Sequence, residues 1–163
     1  NKELWQMVRA GIVDGICSEH TPHTLEEKNT DVWSAASGTP NIQETVAAFI
    51  TGWIREFGED TLEEGLLRLA QCSATNVAAF FGFPQKSGIK VGNDADFVVV
   101  DTKNTWTVER GDLFTKLQWS AYEGMKLVGR PVATFLGGNQ VYNKGSIIPE
   151  KSSGKFLVRK KHI

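Results

Sequence analysis

Ile12-Val13-Asp14-Gly15-Ile16-Cys17, followed at once by Ser18-Glu19-His20-Thr21-Pro22-His23-Thr24, is the stretch on which the reading of the fold turns. The first six residues are brief and apolar enough for a buried strand of a parallel sheet, although periodicity alone does not separate such a run from a helical piece. The next seven gather one carboxylate and two of the chain's three histidines between positions 19 and 23. Loops at the C-terminal ends of parallel strands converge over the mouth of a sheet or barrel, which is where α/β proteins collect catalytic groups. A carboxylate there can bind a divalent metal or accept a proton from metal-bound water. An imidazole can bind metal or donate to a substrate oxygen. In extended chain Glu19 and His20 point to opposite faces, so Glu19 and His23 are the pair that can share a focus, and a further ligand must come from elsewhere.

Working outward, Lys2 to Ala10 carries Leu4, Trp5, Met7 and Val8 in an amphipathic pattern closed by Gly11, as at the end of a helix. Ser18 to Asn41 is a long, polar, Pro-bearing loop, a kind of segment that tends to be functional. Asn41 and Glu44 have the form of a capping box ahead of the clearest helix, whose Ile42, Val46, Phe49, Ile50, Trp53, Ile54 and Phe57 share one face up to Gly58. Thr61 with Glu64 repeats the capping pattern before Leu62, Leu66, Leu67 and Leu69, and Ser73 is placed to cap a third helix ending at Gly82. From Pro84 the chain reads as sheet, with strands expected at Phe97 to Val100, Thr105 to Val108, Val132 to Phe135 and Gln140 to Tyr142, and a tight hairpin at Gly137-Gly138-Asn139. The basic tail with Lys151, Lys155, Arg159, Lys160 and Lys161 reads as a solvated terminus.

Composition narrows the function classes. In 163 residues, 18 Lys plus Arg offset 19 Asp plus Glu, leaving net charge −1 and no polyanion-binding footprint, so bulk nucleic-acid binding is disfavoured. Hydrophobic residues at 40% and charged ones at 23% describe a globular chain able to bury a core. Cys17 and Cys72 stand far apart and in no metal-ligand spacing, which excludes a disulfide framework and a Cys-based zinc module and suits a reducing compartment. No apolar run approaches the ~20 residues of a membrane span, and Asn1-Lys2-Glu3-Leu4 lacks the apolar stretch of a signal peptide. A cytoplasmic protein without membrane contact is therefore expected. The absence of an initiator Met also suits a piece of something longer. Trp33, Trp53, Trp106 and Trp119 read as core or interface packing, Lys116 and Lys126 as surface, and Cys17 as a small buried residue.

Ser18-Glu19-His20-Thr21-Pro22-His23-Thr24-Leu25-Glu26-Glu27-Lys28 resembles the Asp-His-Ala-Pro-His-Thr-x-Glu-Glu-Lys signature of dihydroorotases, members of the cyclic amidohydrolase group that also holds allantoinases and hydantoinases. The resemblance continues through Ser37-Gly38-Thr39-Pro40, similar to the family's substrate loop, and through Asn93-Asp94-Ala95-Asp96. It extends to Ser120-Ala121-Tyr122-Glu123-Gly124, Gly129-Arg130-Pro131-Val132 and Val141-Tyr142 with Gly145, and so spans nearly the whole chain. It implies an α/β fold: the C-terminal part of a metal-dependent (β/α)8 amidohydrolase barrel over residues 1–83, then strands of a small β-sandwich domain with the closing segment and basic tail over 84–163. A whole barrel takes about 250 residues, so the remainder of the enzyme and its other metal ligands would lie upstream.

By the same resemblance, Glu19 takes the place of the aspartate that ligates one metal and shuttles the proton. His23 takes that of the histidine contacting the substrate carboxylate, and Gly38 and Pro40 those of loop residues that meet the cyclic amide. His20 matches the motif as a loop-stabilising hydrogen-bond partner. The implied cofactor is zinc, one or two divalent ions in the complete enzyme, which is expected to be a homo-oligomer acting on a small cyclic amide. The implied reaction is the interconversion of dihydroorotate and N-carbamoyl-aspartate. Allantoinase or hydantoinase activity, and a non-catalytic homologue scaffolding a pyrimidine-pathway enzyme, stand as alternatives. The sequence departs from the family at Glu19, where Glu for Asp adds one methylene, about 1.5 Å of reach, at Asn41, where Gly is usual, and at Gln43, where an acid is frequent.

Overall fold

Helix α1 (Lys2–Arg9) closes on Gly11, whose φ of 75° is a conformation that glycine adopts without strain. The computed structural model from which this and all later geometry is taken describes residues 2–149 and 154–158. After α1 come the short α2 (Leu25–Lys28), then α3 (Thr45–Phe57), α4 (Leu62–Ala70), a π-helical turn at Gln71–Thr75 and α5 (Asn76–Phe81). Strands β1 (Phe97–Thr107), β2 (Lys126–Leu136), β3 (Asn139–Asn143) and β4 (Ser146–Ile147) form one antiparallel sheet in sequence order. This is an α/β arrangement with helices first and a small sheet after.

Helix α3 is the element between the two halves because it is apolar on two sides. Phe49 and Trp53 pack with Val8 of α1 and Leu69 of α4, while Ala47 packs with Trp106, Val108, Leu113 and Leu127 of the sheet half. The sheet lies close to the helix: a Cβ on Gly129 of β2 would stand 2.7 Å from Ile50 Cδ1. The Thr51 hydroxyl donates to Ala47 O at 2.7 Å and accepts from Val128 N–H at 2.8 Å, which pins β2 to the helix. Gly58, φ 88°, ends α3, and Gly82 ends α5 in the left-handed conformation.

The expected hairpin is present. Leu136 pairs with Asn139, and Gly137 and Gly138 between them have φ of 56° and 80°, as a two-residue turn of the primed type demands. The two strands expected at Phe97 to Val100 and Thr105 to Val108 are one: β1 runs through both, with irregularities at Val99/Val100 and Asp101/Thr105, where the Asp101 carboxylate accepts from Lys103 and Asn104 N–H. A second lock joins the segment before β1 to this hairpin. The Lys86 ammonium is paired with Asp96 and, at 3.0 Å, with Asp94, while the other Asp96 oxygen accepts from Gly137 N–H at 2.6 Å.

Several expectations are corrected. Ile12 to Cys17 is not a buried strand: Ile12 is 62% exposed, Cys17 is exposed, and the run is tied to the helices by Ile12 N–H on Met7 O, Ile16 N–H on Cys72 O, the Cys72 thiol on Val13 O, and the packing of Val13 and Ile16 on the helical core. A parallel strand needs ladder partners on its flanks, and among the described residues none stands beside it. The three helix starts are not capped as read. Glu44 is 1% exposed and its buried Oε1 has no partner among the described residues. The Thr61 hydroxyl accepts from Trp53 Nε1 at 3.0 Å, and Ser73 donates back to Leu69 O inside the π turn. For Thr61 and Ser73 a tertiary or local backbone demand takes the group that capping would have used, whereas Asn41 Oδ1 and Glu44 Oε1 are buried without a partner among the described residues. Trp53, Trp106 and Trp119 are buried, whereas Trp33 is 93% exposed. Of the tail, Lys155 is exposed and Lys151, Arg159, Lys160 and Lys161 lie outside the described residues. Among the described residues no helix is long and apolar enough to cross a membrane.

Candidate active site

The chain reaches the chemistry-bearing segment after Cys17 and turns sharply. Glu19 has φ 50°, a left-handed conformation that costs a non-glycine residue about 1 kcal/mol or more, and it is exposed. Local bonds hold the turn: Glu19 N–H points at Cys17 Sγ (3.4 Å), the Thr21 hydroxyl donates to Glu19 O (2.9 Å), and His20 N–H donates to Ser18 Oγ (3.3 Å). The strain is thus confined to the residue whose carboxylate the sequence singles out.

His20 lies in a parallel bridge with Thr39, with Thr21 N–H donating to Thr39 O at 3.2 Å. Its Nδ1 accepts from Asn41 N–H (3.0 Å) and Ile42 N–H (3.3 Å), so this ring nitrogen carries no proton and the imidazole serves as the loop-stabilising partner expected of it. The two motif segments, 18–28 and 37–42, are therefore side by side. Gly38, φ 104°, sits where a Cβ would be driven into the Thr21 side chain, with Oγ1 at 2.9 Å, so only glycine permits the approach. Pro40 is buried beneath the loop.

His23 is half-buried. Its Nδ1 is 3.5 Å from Glu27 Oε2, and its carbonyl accepts from Trp119 Nε1 at 2.8 Å. Thr24 and Glu27 close a capping box on α2, and the Thr24 N–H and hydroxyl, with a smaller contribution from His23, hold the Glu27 carboxyl below the usual carboxylate range. Lys28, the last residue of α2, sends its ammonium back to Ala36 O at 2.6 Å and Gly38 O at 3.0 Å. A groove of about 990 Å³ opens behind the loop, lined by Pro40, Glu44, Trp119, Arg130 and Tyr142 among others; His20 and Pro40 reach it, while Glu19, His23 and Gly38 do not.

Glu19, His23, Gly38 and Pro40 are thus carried on one folded unit, with Glu19 and His23 on its first strand-like arm and Gly38 and Pro40 on its return. As to metal, the donor set present is incomplete: among the described residues no three of His, Cys, Asp and Glu come together in a way that could hold an ion. His20 is committed to the loop through Nδ1, and the Glu19 carboxylate is an exposed donor at the turn. Two tethering residues escaped the sequence reading. Trp119 was legible as packing but not as a donor to a carbonyl 96 residues away. Lys28 belongs to the quoted motif, and its spacing to Ala36 and Gly38 was the available signal.

The chain is similar to enzymes of the dihydroorotase and hydantoinase group of cyclic amidohydrolases, and it resembles the C-terminal portion of those enzymes. An L-hydantoinase of Paenarthrobacter aurescens is 30% identical over 166 residues, covering 99% of this chain and 35% of that protein. A dihydroorotase of Pyrococcus furiosus is 31% identical over 162 residues, covering 98% of this chain and 35% of that protein. Among solved structures, a D-hydantoinase superposes with a TM-score of 0.82 at 28% identity, over 98% of this chain and 35% of that one. The chain therefore spans about a third of the length of the relatives it matches. No family model matches it.

Proposed function

We propose that these residues form the distal part of a hydrolase that opens a cyclic amide, with dihydroorotate, or N-carbamoyl-aspartate in the reverse direction, as its substrate. The observation that carries the reading is the pairing of the Glu19–His23 arm with the Gly38–Pro40 return across the His20–Thr39 bridge, which puts an exposed carboxylate and an imidazole beside a backbone loop able to meet a cyclic amide. In the proposed reaction water adds to the ring carbonyl, the ring C–N bond breaks, and Glu19 carries the proton from the attacking water to the departing nitrogen. His23 holds the ring carboxylate. A hydroxide held by zinc would supply the nucleophile in the complete enzyme, and Glu19 would be this segment's share of the ligands. The described residues do not form that metal site by themselves.

The hydantoinase reading differs in one respect: the ring lacks the carboxylate, and His23 would have no charged partner. His23→Ala in the complete enzyme separates the two. A charge-assisted hydrogen bond of roughly 1.5 to 3 kcal/mol predicts a loss of about one to two orders of magnitude in kcat/KM for dihydroorotate and a much smaller loss for a carboxylate-free hydantoin. Equal losses on both substrates would remove the carboxylate-binding role, and a parent enzyme preferring the carboxylate-free ring would transfer the assignment to the hydantoinase side.

A further inference from the structure

We infer that Lys28 is a positioning residue for the substrate loop: its ammonium grips the carbonyls of Ala36 and Gly38 and so sets where the loop backbone meets the ring. The inference rests on the hydrolase reading above and deepens it. Lys28 is half-buried at the end of α2, and the Thr24–Glu27 capping box fixes the base from which its stem extends. Among the described residues no carboxylate lies within ion-pair distance of Lys28; its ammonium donates, at 2.6 and 3.0 Å, to loop carbonyls eight and ten residues ahead. A cation spent on neutral carbonyls makes short, strong bonds to groups that a loop otherwise gives to water. An adjoining bond runs the opposite way between the same two segments, Ala36 N–H donating to Glu27 O at 3.3 Å.

The loop needs such an anchor because apolar packing does not supply one. Val32 and Trp33 at its tip are 80% and 93% exposed, and α2 contributes no buried residue. The return arm is held from two sides by groups of opposite character: Lys28 takes the acceptors at 36 and 38, and His20 Nδ1 takes the donors at 41 and 42. Gly38 is held in the first grip, and Pro40 lies between the two. Loss of the Lys28 grip leaves the His20 grip and the core intact, so its effect falls on loop placement and not on folding.

The test uses the complete enzyme with Lys28→Met, Lys28→Gln and Lys28→Arg, read by steady-state kinetics on a cyclic amide and by amide hydrogen exchange. Lys28→Met should raise KM about tenfold or more with kcat changed less than about threefold, and should speed exchange across residues 35–41 while leaving α3 unchanged. Lys28→Arg, which keeps a charged donor, should recover most of KM, and Lys28→Gln should fall between. Unchanged KM and unchanged exchange at 35–41 would overturn the role of Lys28 with the hydrolase reading intact. Acceleration of α3 to the same degree, or failure of both Met and Gln variants to fold, would overturn it in favour of a purely structural residue. A parent enzyme that opens no cyclic amide would overturn the hydrolase reading, while the exchange arm still decides whether Lys28 holds the loop.

Discussion

Trp53 and Trp33 lie twenty residues apart in two regions built on different principles. Trp53 is fully buried on α3, stacked on Phe49 at 5.9 Å and tilted on Phe57 at 4.7 Å, with its indole N–H satisfied by Thr61. Trp33 stands in solvent on the loop over the candidate site, and the nearby order comes from the Asp31 carboxylate accepting from Trp33 and Ser34 N–H. Around Trp53 many small dispersion contacts are redundant, whereas the loop depends on single directional bonds: His20 to Asn41 and Ile42, Lys28 to Ala36 and Gly38, Trp119 to His23. Such a loop can be displaced without unfolding the protein.

The comparison can be broken at its strongest point first. Trp53→Ala should cost about 3 to 5 kcal/mol, measured by denaturant unfolding, and should speed amide exchange in α1, α3 and α4 together. A smaller effect, about 2 to 3 kcal/mol at most, is expected for Gly38→Ala, since the new methyl meets Thr21 and the φ of 104° is unfavourable for alanine. Its exchange signature should be confined to residues 18–42, and spread into α3 would show the two regions to be one cooperative unit. Smaller still is Asp96→Asn, about 1 to 2 kcal/mol at neutral pH. Lys86, then Gly137 N–H, hold the Asp96 carboxyl below its ordinary range, so this contribution is complete above the usual carboxylate pKa and fades as pH falls through the lowered value. The Lys86 ammonium is raised by Asp96 first and Asp94 next, so its share persists to the ordinary lysine range and is lost as pH rises beyond it. The gap between parent and Asp96→Asn in urea midpoints should therefore close below about pH 4; a gap constant down to pH 2 would contradict the ion-pair account.

What the sequence made legible divides along the same line. The α3 face with Phe49, Ile50 and Trp53, and the Gly137-Gly138 turn, follow from local periodicity and backbone freedom, which a sequence states directly. The role of His20 as a loop-stabilising hydrogen-bond partner was legible from the motif, whereas its partners, the N–H groups of Asn41 and Ile42, were not. The Ile12 to Cys17 run was not, because a strand exists only where neighbours supply its ladder. Thr61 misleads as a cap for a related reason: the residue that takes its hydroxyl is an indole eight positions earlier on another helix. Glu44 reads as a reciprocal cap and is instead a buried carboxylate at the base of α3. Trp119 N–H on His23 O joins ends of the chain that no local pattern connects.

Glu19 carries the central claim, since among the described residues it alone combines an exposed carboxylate, a left-handed backbone and a place at the head of the paired segments. The most direct measurement is the turnover of a cyclic amide by the complete enzyme bearing Glu19→Gln, with unfolding midpoints recorded alongside. The amide nearly matches the carboxylate in shape but cannot accept the proton, so kcat should fall by about two to four orders of magnitude while the unfolding midpoint stays with the parent. Turnover within a few-fold of the parent would contradict the assignment of proton transfer to this residue.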